Sequence, residues 1–121
     1  MEALFTNPWT IILLLTGLLS ALSGWILKKY PPKSINWFYG YRTRRAMKGQ
    51  DQWDFAQKLA GREMLRSGLL LTVLGIAGAW LPLSDEAAVA VALVPVIIFA
   101  FLPVVRVETE LKKRFEGSGR N

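Results

Sequence analysis

The residues with chemical capacity cluster between Asn36 and Gly61, in the stretch NWFYGYRTRRAMKGQDQWDFAQKLAG. Arg42 carries a fixed fork of donors that suits a carboxylate, a phosphate or a backbone carbonyl. Gly40, two residues before it, permits a positive-φ turn. Asn36 and Thr43 have short polar side chains that tie such a turn to nearby backbone groups. With the rings of Tyr41 and Trp53 beside it, this set describes a preformed polar cup suited to binding. Arg42, Arg44 and Arg45 with Lys48 form a basic cluster. It reads either as a specific phospholipid or nucleotide site or, more plainly, as non-specific attraction of Arg44, Arg45 and Lys48 to anionic lipid headgroups, at about 1 kcal/mol per residue near the surface. Glu63 is the unusual carboxylate, because it falls on the apolar arc of the helix that follows and there needs a partner or a water path. It reads either as a buried counter-ion for Arg42, Arg44 or Arg66, or as a surface i,i+3 pair with Arg66.

Other chemistries lack their residues. The chain has no cysteine and no histidine, so disulfides, thiolate nucleophiles and histidine-based triads or zinc sites are excluded. Asp51 and Asp54 stand one turn apart where a helix begins, which is capping rather than acid–base work. No glycine-rich phosphate loop is present, and no basic recognition helix favours nucleic acid. The expectation is a non-enzymatic protein with no cofactor and no metal.

The elements that position the cup are apolar spans. Hydrophobic residues make up 52% of the 121 residues, and they fall in runs that mark a membrane protein. After a leader over 1–8, residues 9–27 contain no ionisable group and give a helix of about 28 Å, enough to cross a bilayer. Lys28 and Lys29 follow this run instead of preceding it, so it reads as a retained span rather than a cleaved signal peptide. Gly17, Ala21 and Gly24 leave a low ridge for another helix. Pro31 and Pro32 end the span.

Residues 28–66 form the loop. Within it 51–66 reads as an amphipathic helix capped by Asp51, with Trp53, Phe55, Ala56, Leu59, Ala60 and Met64 on one arc and Asp54, Gln57, Lys58 and Arg62 on the other. It is expected to lie on the membrane surface and bend into the next span. Residues 67–83 and 87–105 complete three spans, with close-packing positions at Gly68, Gly75, Gly78 and Ala79, a Ser84 cap and a kink at Pro95. The tail 106–121 is expected to add a turn or two of helix. Of the 15 Lys and Arg, ten lie in 28–66 and five in the tail. The positive-inside rule therefore places the loop and C-terminus in the cytoplasm and the N-terminus outside. The fold class is an all-α membrane protein with three transmembrane helices and an interfacial amphipathic helix between the first two. No span holds an ionisable side chain, which argues against a self-contained transporter. An oligomer lined by Thr16, Ser20, Ser23 and Thr72 is the remaining route to a pore.

The string Asn36-Trp-Phe-Tyr-Gly40-Tyr41-Arg42-Thr43, the basic pair after it, Trp53-Asp54-Phe55-Ala56 and Gly61 resemble the signature of the SdpI-type immunity family of small bacterial membrane proteins. The resemblance covers Asn36 to about Gly61, and the two spans after it suit the family's module. The founding type is longer, with extra spans before the module. The resemblance implies a bacterial inner-membrane protein that neutralises or senses a secreted membrane-active peptide toxin. It also singles out Gly40, Arg42 and Thr43 as motif residues. Expected partners are the lipid bilayer with its anionic lipids, and a peptide toxin or another membrane protein, or a second copy of the chain. Two other readings stand beside immunity: an accessory subunit of a larger membrane complex, and a lipid-binding protein of the cytoplasmic leaflet.

Overall fold

The computed structural model describes residues 2–116. Among these residues all regular structure is helical: α1 (Glu2–Thr6), α2 (Pro8–Lys29), α3 (Gln50–Ala77) and α4 (Asp85–Phe115). By length and composition, α2 and α4 are apolar enough to cross a membrane. Helix α2 starts where the Asn7 side chain accepts from the Trp9 amide at 2.9 Å, with Pro8 filling the first helical position. It stops at Lys29, because a residue ahead of proline, here Tyr30, is disfavoured in the α region.

Helices α2 and α3 touch backbone to backbone. Gly17, Ala21 and Gly24 on α2 and Gly61, Gly68 and Gly75 on α3 are all buried. A methyl group at Gly68 would strike the Ala21 amide nitrogen, and one at Gly24 would lie 2.7 Å from the Gly61 carbonyl oxygen. The close approach lets side chains of one helix reach carbonyls of the other. Thr10 donates to Gly75 O at 2.8 Å, Ser20 to Met64 O at 3.0 Å and the Trp9 indole to Leu74 O at 3.0 Å. In a membrane such bonds contribute about 0.6 kcal/mol each, and dispersion across the small-residue seam supplies the rest.

Helix α4 closes the bundle. At the loop end Leu27, Ala46, Ala56, Ala60, Val107 and Leu111 form one buried cluster, and at the far end Leu13, Leu71 and Ala92 form another. These pairings make α2 and α4 parallel to each other and α3 antiparallel to both. The end of α4 that carries the tail therefore lies beside the loop.

Several boundaries differ from the sequence reading. The helix expected over 51–66 and the span expected over 67–83 form one uninterrupted helix. No proline lies between them, and Gly61 and Gly68, rather than acting as hinges, are held against α2. Gly49 is the N-cap and Asp51 sits in the first turn. Residues 78–84 are not helical, since Gly78 ends α3 and Pro82 disfavours helix at Leu81. Gln57, assigned to the polar arc, is 1% exposed. The tail to Phe115 continues α4 as the same helix, because Val107 and Leu111, four residues apart, bury into the loop cluster. Pro95 and Pro103 both lie inside that helix. Ser84 caps α4, accepting from the Ala87 amide at 3.2 Å.

Candidate functional site

The loop between α2 and α3 has no regular structure, so each of its turns is tied down by a side chain. The buried Trp53 indole donates to Pro32 O at 2.8 Å and fixes the exit from α2. Asn36 Oδ1 accepts from the amides of Phe38 and Tyr39, both at 2.8 Å, which makes the first turn. The Tyr39 hydroxyl returns to α2 and donates to Tyr30 O at 2.6 Å. Gly40 then adopts φ +106°, a conformation closed to other residue types without strain. A methyl group there would also sit 2.6 Å from Gln57 Oε1.

The Gln57 amide clamps the next residue at both of its backbone groups. Tyr41 N–H donates to Gln57 Oε1 and Gln57 Nε2 donates to Tyr41 O, each at 2.7 Å. This satisfies a half-buried strand of loop that has no ladder or helix to do so.

Past that clamp the motif converges on one carboxylate of α4. The Tyr41 hydroxyl donates to Glu108 Oε2 at 2.6 Å, and Thr43 Oγ1 donates to the same oxygen at 2.7 Å. Arg45 Nη1 donates to Glu108 Oε1 at 3.3 Å, while its Nε reaches Glu116 Oε2 at 3.0 Å. Lys48 stands 3.7 Å from Glu116. Burial works against ionisation of Glu108, but the bonds from Tyr41, Thr43 and Arg45 outweigh it and hold the carboxyl below its usual range. Burial, reinforced by Glu108, pushes the Tyr41 hydroxyl well above the usual tyrosine range, so it remains a donor. Glu108 in turn raises Arg45. The latch is a neutral phenol, a hydroxyl and a guanidinium sharing one carboxylate.

Arg42 is the motif residue outside this latch. It is exposed and has no hydrogen-bond or ion-pair partner among the described residues. With Ser23, Ile26, Leu27, Tyr39 and Met64 it lines a cavity of about 570 Å³. A second cavity of about 470 Å³ shares Ser23, Tyr41 and Met64 with the first and continues between α2 and α4.

A family model described as the SdpI/YfhL protein family matches residues 33–106. The chain belongs to this family. An uncharacterized protein YfhL of Bacillus subtilis (strain 168) is 43% identical over 63 residues, which is 52% of this chain and 57% of that protein. The chain thus matches little more than half the length of its curated relative. No solved structure matches it. The SdpI/YfhL segment contains the loop from Lys33 onward, α3 and the membrane-length part of α4, and it ends two residues before Glu108.

The structure brings Asn36, Gly40, Tyr41, Thr43, Trp53 and Gly61 into one continuous brace around the α2–α3 seam. Arg45 and Lys48, grouped on sequence with Arg44 as headgroup contacts, face α4 carboxylates instead. Arg44 is exposed and unpaired among the described residues. Glu63 is 4% exposed, with Arg66 and Arg106 each 3.6 Å away. Its counter-ions are therefore Arg66 and a residue of α4, and neither Arg42 nor Arg44.

Three residues escaped the sequence reading, Arg106, Glu108 and Glu116, and a fourth, Gln57, was assigned to the polar arc. Gln57 was findable, since it lies four residues after Trp53 and three before Ala60, inside the buried stripe. The two glutamates carry a weaker signal: two carboxylates on a basic tail, facing a loop with excess cations.

Proposed function

We propose that this chain is a non-catalytic, three-span membrane protein of the SdpI immunity type, whose motif loop braces the bundle that neutralises or senses a membrane-active peptide. The observation that carries this reading is where the motif side chains go. Tyr41 and Thr43 are spent on Glu108, and Gly40 on the turn that seats the Tyr41 backbone in the Gln57 clamp. They hold helices together, which supports a bracing role for the motif.

Membership of the SdpI/YfhL family supports the immunity type. The apolar surface supports the membrane. Leu15, Leu18, Leu19 and Leu22 on α2 and Val94, Ile97, Ile98 and Phe101 on α4 are all exposed, a patch far larger than water tolerates on a soluble monomer. Helix α3 serves as the remaining span in this reading. Its Gly61 lies against Lys28 and its C-cap Gly78 against Trp9, so the stretch between them covers about 26 Å of depth beside α2. Arg62, Glu63 and Arg66 then stand at the loop-side interface, where Glu63 is neutralised by its two arginines. The cationic loop and tail face the cytoplasm.

A strain lacking the protein should become sensitive to a secreted membrane-active peptide, and expression of the chain should restore resistance. Unchanged sensitivity across supernatants of neighbouring strains would refute the immunity reading.

A further inference from the structure

Arg42 poses a question that the brace does not answer. The loop holds five cations: Lys33, Arg42, Arg44, Arg45 and Lys48. Arg45 and Lys48 are neutralised by Glu108 and Glu116. Of the three without an ion-pair partner among the described residues, only Arg42 lines the cavity between Tyr39, Met64 and the end of α2. An unpaired guanidinium at the mouth of a cavity favours an anion there.

What lies below the mouth is apolar. The second cavity continues the first along Leu19 of α2 and Val96, Phe99, Ala100 and Val104 of α4. Thr16 and Ser20 also line it, but their hydroxyls are already donated to Ile12 O and Met64 O, at 2.7 and 3.0 Å. They therefore present no unfilled donor to an occupant. Along α2 the joined groove runs from Leu27 to Thr16, a rise of about 16.5 Å at 1.5 Å per residue. That is close to the depth of one leaflet of hydrocarbon, half of a core about 30 Å thick.

We propose that the α2–α4 groove binds one anionic phospholipid, with its phosphate on Arg42 and one acyl chain laid along the groove towards Thr16. The site rests on the membrane placement proposed above and not on any peptide. The headgroup meets the loop motif and the chain meets the two helices that the motif braces. Ser23, at the junction of the two cavities, stands beside the path from head to tail.

The test is lipid retention by the full chain, purified in mild detergent from membranes and re-equilibrated with micelles holding equal phosphatidylglycerol and phosphatidylcholine. Native mass spectrometry reads the bound lipid. Wild type is expected to keep one phosphatidylglycerol per chain in preference to phosphatidylcholine. Arg42→Ala should lower that preference about tenfold or more, as befits one charge-assisted contact. Arg44→Ala makes the same change in net charge outside the groove and should retain lipid as wild type does. Ala100→Phe fills the groove and should reduce retention of both lipids with Arg42 intact. Helix content by circular dichroism confirms that each variant is folded. Equal retention by Arg42→Ala and wild type would overturn the proposal, and so would equal loss in Arg44→Ala. A wild-type chain that keeps no lipid but takes up a hydrophobic peptide with a free C-terminal carboxylate, through Arg42, would assign the groove to a peptide instead. Retention is read without reference to sidedness, so its failure is separable from failure of the membrane placement.

Discussion

The Glu108 latch can be taken apart one bond at a time. Tyr41→Phe removes the 2.6 Å bond to Glu108 Oε2 and leaves Thr43 and Arg45 to satisfy the carboxylate. Hydrogen bonds to a charged group contribute about 1.5–3 kcal/mol, so this variant should lose that much bundle stability. Glu108→Ala should cost more, because it strands the partly buried Tyr41 and Thr43 hydroxyls together. In the Tyr41→Phe/Glu108→Ala double variant the Tyr41 hydroxyl is gone already, so the second change costs less. The cycle should therefore yield a coupling of about 1.5–3 kcal/mol, equivalent to roughly 10–150-fold in the unfolding equilibrium. The assay is reversible unfolding in mixed detergent micelles followed by far-ultraviolet circular dichroism. Additive effects, with coupling under about 0.5 kcal/mol, would show that the phenol and the carboxylate do not hold each other in the folded chain. The reasoning about the brace would then fail.

Acid should open the same latch. Glu108 is held below the usual carboxylate range, so its contribution is fully present above its unfolded pKa, near 4.3, and is lost as pH falls through the lower folded value. The stability gap between wild type and Glu108→Gln should be constant from neutral pH to about 5 and should close below about 4; a gap unchanged at pH 3 would contradict this. Gly40→Ala combines the +106° φ with a contact 2.6 Å from Gln57 Oε1, and should cost about 1–3 kcal/mol in the same unfolding assay. Gly68→Leu forces the α2 backbone away at Ala21 and Gly17; overpacking a seam this tight should cost about 3 kcal/mol or more, read as loss of the folded fraction in micelles.

How much of this was legible depended on whether the cause was local. Helix α2 could be read because its start, its stop and its small-residue ridge are all written in adjacent residues: Pro8, Pro31 and the Gly17–Ala21–Gly24 spacing. Gly40 and Asn36 were readable for the same reason, since a positive φ and a side-chain turn are local events. The Ser84 cap belongs with them. The latch was not readable, because Glu108 lies 67 and 65 residues from the groups that bond it and nothing about an acidic residue in a basic tail names its partner. The continuity of α3 was missed because a change from charged to apolar composition at Ser67 looks like a boundary. Backbone hydrogen bonding does not register that change, and only proline or an unsupported glycine would have stopped the helix. Gln57 was misplaced because its polarity was weighed above its position. A clamp on Tyr41 backbone groups supplies the partners that a buried amide requires.

The account stands on a bundle threaded through a bilayer with its motif loop on the cytoplasmic face. The natural chain has no cysteine, so single cysteines report position without background. Arg44→Cys and Asp85→Cys place one thiol at the loop and one at the exposed start of α4, and an impermeant maleimide is applied to intact cells and then to permeabilised ones. Labelling at 85 in intact cells, with labelling at 44 only after permeabilisation, is the predicted result. Labelling of both positions in intact cells, or of 44 alone, would contradict it.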